Sequence, residues 1–542
     1  MTSPQTSITD AIGQVARLWL PRLLTQVCRD PSSPHFGCFD RDWWHYRIRD
    51  FPSIILQQGG YALYLASQRN APREQREGLG KLAAAACRFW NVRATHRGAF
   101  EEYYPWEQGY PPLAFSTLAV MKLVAEGVAK AAEIRAGAEV ASRQLQNRFE
   151  PQAANQQVAG LAALAWCRKN FPELVSASAF ESLVARTLAL QTEEGWFEEY
   201  GGPDLGYLSV TVDCLWDLFD ATGDKRFLTA IERAVECIKL FTTATPIGSI
   251  GMHNARNTDY LVPYGLMRAA RQWPTTENAE LVGRLFGNAG DPAHFFNAVD
   301  DRYVCHYIGQ SLFRAVQFLE QPAKNAAVES SASDGTGQFT EKLTKSGHFL
   351  RLTDIGEKSL VTLRKGGIFS HHAGDAWVCD FGWTVEAAGR RYISHWWSED
   401  WQYNQHGNQV RVEGPLYEHK DVANTPARHL ALRLTSFVAG RRLIGTLKKK
   451  LIFEKPQSQI SFQRTVEWSN DTIRVVDVFT NLPAGAEFLP APRNSKRHVA
   501  SADSFHAEDF QPLKGFVVSR QFNRSGQRME IVTVYIRQPA RA

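Results

Sequence analysis

The strongest constraint on this chain is a change of period partway along it. Up to about residue 320, apolar residues recur at three- and four-residue spacing, as in PPLAFSTLAVMKLVAEGVAKAAEI, NQQVAGLAALAWCRKN and RFLTAIERAVECIKLFTT. That spacing gathers them on one face of a helix. Beyond about residue 339 the spacing becomes two, as in SLVTLRKGG, NQVRVEGPLYEH, QISFQRTVEWS and TIRVVDVFTNL, the pattern of half-buried strands. Helices first and strands second exclude an interleaved parallel sheet and predict two units stacked on each other. At 542 residues the chain is also too long for one ordinary core. The predicted class is α+β multidomain: an N-terminal incomplete (α/α) toroid of helical hairpins over 1–320, a polar linker QPAKNAAVESSASDGTGQ over 321–338, and a C-terminal antiparallel β-sandwich over 339–542. The stretch HLALRLTSFVAGRRLIGTLKKKLIF reads as strands within that sandwich, and its Lys448–Lys450 run reads as a solvated edge.

The helical half repeats itself. FEEYYPWEQGY begins at Phe100 and FEEYGGPDLGY begins at Phe197, agreeing at Phe-Glu-Glu-Tyr and at the closing Gly-Tyr. Polar and aromatic openings fall near residues 40, 100, 151, 197 and 251, a period of about fifty residues, which suits one helical hairpin. Stacked hairpins bury a core that none can bury alone, and in a toroid the loops before the inner helices gather round one cavity. The repeated phrase therefore marks equivalent loops at the mouth of that cavity.

Composition narrows the function classes. A formal charge of +5 with no long basic block gives no support for nucleic acid, and no run is long enough to cross a membrane. The eight cysteines are scattered without a CxxC pair, which reads as buried free thiols and neither a disulfide framework nor a zinc site. No secretory signal is legible at the N-terminus, so a cytoplasmic location is the default expectation.

The mouth loops carry the candidate chemistry. PQAANQQVAG offers Asn155 and Gln156, GMHNARNTDY offers His253, Asn254, Arg256, Asn257, Asp259 and Tyr260, and the repeated phrases offer Tyr103, Trp106, Asp204, Tyr207 and the pairs Glu101–Glu102 and Glu198–Glu199. In the strand half, His371 and His372 are consecutive and point to opposite faces, so one of them faces a cleft. Trp397 is a candidate for stacking on a sugar. His371, His372 and Asp375 lie on too short an extended segment to converge on a metal, and no cofactor is expected. Read from the residues alone, Asn155 is equally a helix cap, Tyr207 a loop tie, and the Glu pairs either helix caps or the paired carboxylates of a glycoside hydrolase.

A toroid followed by a sandwich resembles the polysaccharide lyases of the heparinase II/III-like and alginate-lyase group. The local likeness lies in GGIFSHHAGDAWVCDFGWTVEAAGRRYI (366–393), PQAANQQVAG, GWFEEYGGPDLGY and ARNTDYLVPYG, phrases similar to those of heparinase-like proteins from bacterial surface-polysaccharide gene clusters. The resemblance implies β-elimination on an acidic, uronate-containing polysaccharide, with Asn155 neutralising the substrate carboxylate and Tyr207 carrying the proton. Arg256, His253 and His371 join them as catalytic candidates. Gln156, Asn254, Asn257, Tyr260, Tyr103, Trp106, His372 and Trp397 are the candidate substrate contacts, and Arg41, Arg47 and Arg256 suit carboxylate recognition. Gln156 stands where relatives often carry His; a carboxamide does not titrate, so the base must be another group. A glycoside hydrolase and a non-catalytic glycan-binding scaffold stay open as alternatives.

Overall fold

The computed structural model describes residues 7–69, 71–244, 250–291, 294–321, 340–420, 425–469, 471–491 and 511–539. The linker expected over 321–338 lies, from residue 322, outside them.

Six inner helices form the ring of the toroid: α1 (Gly59–Arg69), α2 (Tyr110–Ala125), α3 (Ala154–Asn170), α4 (Leu205–Thr222), α5 (Pro263–Gln272) and α6 (Tyr307–Leu319). Each packs on the next, and α6 returns to the start of the ring, where the Gln310 amide donates to Gln58 at 2.8 Å and the Gln317 amide to the Leu65 carbonyl at 3.0 Å. The sequence pattern marks five openings; a sixth, FFNAVDDRYVCHY, precedes α6 and is likewise rich in aromatic and acidic residues. The inner helices are apolar on nearly every side because they are enclosed on every side: in α2 almost the whole of YPPLAFSTLAVMKLVA is buried. Outer helices such as Arg226–Ala244 bury one stripe and expose the other. Local chemistry sets the ends. Pro111 and Pro112 open α2, and α4 starts on the side chain of Asp204 and stops at Gly223 in the left-handed conformation, φ 71°.

The second half is an antiparallel sandwich, as predicted. One sheet has six strands, including β1 (Thr340–Leu343), β2 (His348–Leu352), β3 (Lys358–Thr362), β4 (Ile368–Ala373) and β5 (Ala376–Asp380), and the other has nine. In the register of β3 and β4, Thr362 faces Ile368, Leu360 faces Ser370 and Lys358 faces His372. That face packs on the toroid: Met252 joins Ile368, Cys379 and Phe381 in a small core. The opposite face, with Val361, Phe369 and His371, looks into the sandwich. All eight cysteines are buried, and none of them forms a disulfide.

One segment departs from expectation. Residues 426–453 are helical, with α7 (Pro426–Ala439), α8 (Arg442–Lys448) and a π-helical turn (Lys449–Phe453) inserted between two strands of the larger sheet. The alternation of Leu430, Leu432 and Leu434 imitates a strand, but Ala, Leu and Arg are good helix formers, and Thr425 and Pro426 supply a cap and a first turn. The excursion leans on the toroid mouth. Arg433 pairs with Asp50, the Phe437 ring meets Trp106 edge-on at 5.2 Å, and Phe453 lies 5.9 Å from Tyr200. Lys448, expected on a solvated edge, is instead paired with Glu150 at 2.6 Å.

Candidate active site

The repeated phrases build the mouth in matching ways. In the first, the Glu101 carboxylate accepts the Trp106 N–H at 3.2 Å; in the second, Glu198 accepts the Gly201 N–H at 2.6 Å. Each first Glu therefore closes its own loop. The second Glu of the pair differs in task. Glu199 reaches back to the preceding hairpin and accepts the Asn155 N–H at 2.7 Å, while the Glu198 carbonyl accepts the Ala154 N–H at 3.0 Å. These two acceptors satisfy the start of α3, where Ala153 occupies the cap position and has no side chain to offer. Asn155 is thus inside the first turn and is not the cap. Its Oδ1, the Gln156 Oε1 and the Glu199 Oε2 are buried with no hydrogen-bond partner among the described residues. Three such atoms together are unusual in a folded interior and mark a polar site.

Tyr200 stands at the centre of this site. Its φ is 58°, a conformation that a bulky residue adopts only when its surroundings impose it. The Arg256 guanidinium lies 3.7 Å from the ring centre, the Gln156 amide donates to the phenol oxygen at 3.2 Å, and the Lys448 ammonium sits 5.3 Å from the ring. Two cations on one phenol ring form an electropositive wall. Behind it Asp204 caps α4, accepting the Tyr207 N–H at 3.1 Å and the Thr258 N–H at 3.3 Å. Burial holds both Glu199 and Asp204 above the usual carboxylate range, with Arg256 opposing it. Sequence reasoning missed Tyr200 and Lys448, although Tyr200 is the register partner of Tyr103 in the repeated phrase.

Tyr207 is the third residue of α4 and is buried at the mouth. Tyr103 and Tyr260 are its neighbours, and burial, helped by Tyr307, pushes the Tyr260 phenol well up. Tyr103 is 52% exposed and Trp106 37% exposed, so both rings are open to a ligand. Close approach of the 251–262 loop to α4 depends on Gly206, where a Cβ would sit 2.2 Å from Thr258 Cγ2.

Several candidates hold the structure together and do not face the cleft. His253 is fully enclosed, with Nδ1 2.7 Å from the Thr362 hydroxyl and Nε2 2.8 Å from the Ser370 hydroxyl. Burial, then His348, Lys365 and His372, push its pKa well below the ordinary imidazole value. Asn254 ties its own loop, accepting the Leu205 N–H at 2.9 Å and donating to the Thr258 carbonyl at 2.7 Å. Asn257 accepts from Lys365 across the domain boundary. Tyr260 shares a hydrogen bond with Tyr307. Trp397 donates to the Gly201 carbonyl at 2.9 Å and is buried against Gly202, so it offers no face to a sugar. His371 points into the sandwich, bonded to Ser359 at 2.8 Å beside a pocket lined by Arg351, Trp468 and Arg537, away from Arg256. His372 is on the toroid-facing side, but is buried, with its pKa pushed down to about 4. Among the described residues no three His, Cys, Asp or Glu side chains converge as a metal site.

The fold has known counterparts. The chain is similar to a chondroitin AC lyase of Streptomyces coelicolor A3, solved with chondroitin sulphate, at TM-score 0.50 and 9% identity over 98% of this chain and 78% of that one. Looser likenesses are to heparinase III, with TM-score 0.40, 10% identity and coverage of 96% and 94%, and to an unsaturated glucuronyl hydrolase of Bacillus sp. GL1, with TM-score 0.35, 12% identity and coverage of 59% and 98%. At 9% identity the first likeness is one of fold: a helical toroid with a sandwich after it. No family profile matches the chain, and no curated protein matches its sequence.

Proposed function

We propose that the chain is a polysaccharide lyase that cleaves an acidic, uronate-containing polysaccharide by β-elimination, using the mouth of the toroid beneath the α7–α8 excursion. The observation that carries this reading is the meeting of Arg256, Lys448 and the Gln156 carboxamide around one strained tyrosine, with Asn155 next to Gln156 in the first turn of α3. A uronate must lose the repulsion of its own carboxylate before C5 can give up a proton, and fixed donors stabilise the enolate as its charge grows. Arg256 and Asn155 take that role, with Gln156 beside them. Tyr207 then removes the C5 proton, the C4–O4 bond breaks as the C4=C5 bond forms, and the same phenol returns the proton to the departing oxygen. No water is consumed. An ordinary phenol titrates near about 10, so Tyr207 needs a cation to favour its phenolate, and Arg256, on the loop that packs against the start of α4, is the group we assign to that task.

Glu101, Glu198 and Asp204 are occupied in closing loops and capping α4, and Glu199 spends one oxygen on the Asn155 N–H, so these four of the six carboxylates open to the hydrolase reading already serve as structural acceptors. A non-catalytic glycan-binding scaffold is the second reading, favoured by Gln156, which does not titrate and already bonds Tyr200. Incubation with a panel of uronate-containing and neutral polysaccharides separates them. A lyase releases products that absorb in the near ultraviolet and whose masses show no added water. Saturated ends with one water per cleavage, or binding without cleavage, would sink the proposal.

A further inference from the structure

The α7–α8 excursion carries a second surface that cleavage chemistry does not use. On α7 the side chains of Leu430, Leu434, Phe437 and Val438 are 60%, 62%, 67% and 85% exposed. Their spacing of four, three and one puts them on a single stripe of the helix. The covered side is the opposite one, where Ser436 is buried and Leu432 and Ala439 are partly so. The amphipathic polarity is therefore inverted, and aliphatic side chains of this size are not left in water in a row without a use.

Charge marks the partner. Residues 426–453 hold seven basic side chains (Arg428, Arg433, Arg441, Arg442, Lys448, Lys449 and Lys450) and no acidic one, +7 against +5 for the whole chain, so the rest of the chain carries −2. Arg433 and Lys448 face inward to Asp50 and Glu150, while Arg441, Arg442, Lys449 and Lys450 are exposed. The apolar stripe continues onto the toroid rim, where Phe437 meets Trp106 and where Tyr46 and Ile48 are exposed close to the Arg433–Asp50 pair. Exposed aliphatics flanked by cations and interfacial aromatics match the boundary of an anionic bilayer: apolar side chains enter the acyl region and Arg and Lys remain at the headgroups. A soluble polyanion would engage the cations but has nothing to offer Leu434 and Val438.

We propose that α7 and its flanking basic turns form a docking surface for an anionic phospholipid membrane, holding the mouth of the toroid against the bilayer. The surface lies on the membrane and does not cross it; no helix among the described residues is long and apolar enough to span. Binding is independent of cleavage, so failure here leaves the proposed reaction standing.

The test is flotation of the full chain with unilamellar vesicles of phosphatidylcholine containing about a third phosphatidylglycerol, against phosphatidylcholine alone. The protein should float with the anionic vesicles and be released by salt. Paired Leu434→Asp and Val438→Asp substitutions, both on outward positions, should lower partition at least about tenfold by removing apolar area. Paired Arg441→Glu and Arg442→Glu should lower it by a similar factor, since each basic residue at such a surface contributes about fivefold. Unchanged thermal unfolding of both variants guards against misfolding. Absence of flotation, equal flotation of the variants, or a dimer of the parent chain that the Asp pair dissolves would overturn the proposal, the last assigning the stripe to a second copy.

Discussion

Replacement of His253 by Ala tests whether this residue is a structural pin or a base. In the structure its imidazole joins the two halves of the chain through buried bonds to Thr362 and Ser370, and its carbonyl accepts from His348 Nε2 at 2.9 Å. The substitution deletes two buried hydrogen bonds at about 1 kcal/mol each and leaves a void of imidazole size, so the expected loss at pH 7.5 is about 3 kcal/mol. The pH dependence supplies a second signature. The folded-state pKa of His253 is depressed, so its stabilising contribution is fully present above the unfolded value near about 6.5 and is lost as pH falls toward the folded pKa. One proton of linkage is about 1.4 kcal/mol per pH unit, and between pH 6.5 and 5 the unfolded parent chain gains about 2 kcal/mol that the variant does not. The penalty of the substitution should therefore shrink from about 3 to about 1 kcal/mol between pH 7.5 and 5. Urea unfolding followed by tryptophan fluorescence at the two pH values measures it. A penalty that is small at pH 7.5, or that does not shrink, refutes the pinning argument. Loss of more than about a hundredfold in turnover at a temperature where the variant is folded would return His253 to the chemistry.

Other outcomes follow from the same geometry. Tyr207→Phe should reduce lyase turnover by about 10² to 10⁴ with binding retained, while Tyr200→Phe, which keeps the ring under Arg256 and loses the bond from Gln156, should cost less than about tenfold; the reverse order in a near-ultraviolet product assay would make Tyr200 the proton carrier. Arg464 is fully buried between Asp477, at 2.7 Å and 2.9 Å, and Asp380, at 2.9 Å, so Arg464→Ala should destabilise the sandwich by about 3–5 kcal/mol, read as a lowered melting temperature. Glu102 has a pKa raised by burial and then by Glu107, so its ionised form costs stability as pH rises through neutrality; Glu102→Gln should lessen the fall in melting temperature between pH 6 and pH 9, and an unchanged fall would contradict the burial argument.

Much of the architecture was legible in the chain because it is locally encoded. The period of apolar residues assigns helices to the first half and strands to the second, and the repeat of Phe-Glu-Glu-Tyr finds corresponding loops, in each of which the first Glu accepts a backbone N–H of its own loop, five residues on for Glu101 and three residues on for Glu198. Local pattern failed over 426–453, where Leu at alternate positions reads as a strand, and contacts with Asp50, Trp106, Glu150 and Tyr200, between about 250 and 400 residues earlier in the chain, accompany a helix. The site divides in the same way. Asn155, Gln156, Arg256 and Tyr207 could be chosen as candidates from their residue types and loops, but their company could not. Tertiary packing turned His253 into a pin between domains, sent His371 into the sandwich, buried Trp397 on Gly202 and set Lys448 beside Tyr200. Hydrogen-bonding capacity belongs to the residue and is written in the sequence; which partner spends that capacity depends on distances between segments far apart in the chain, and only the closed fold fixes them.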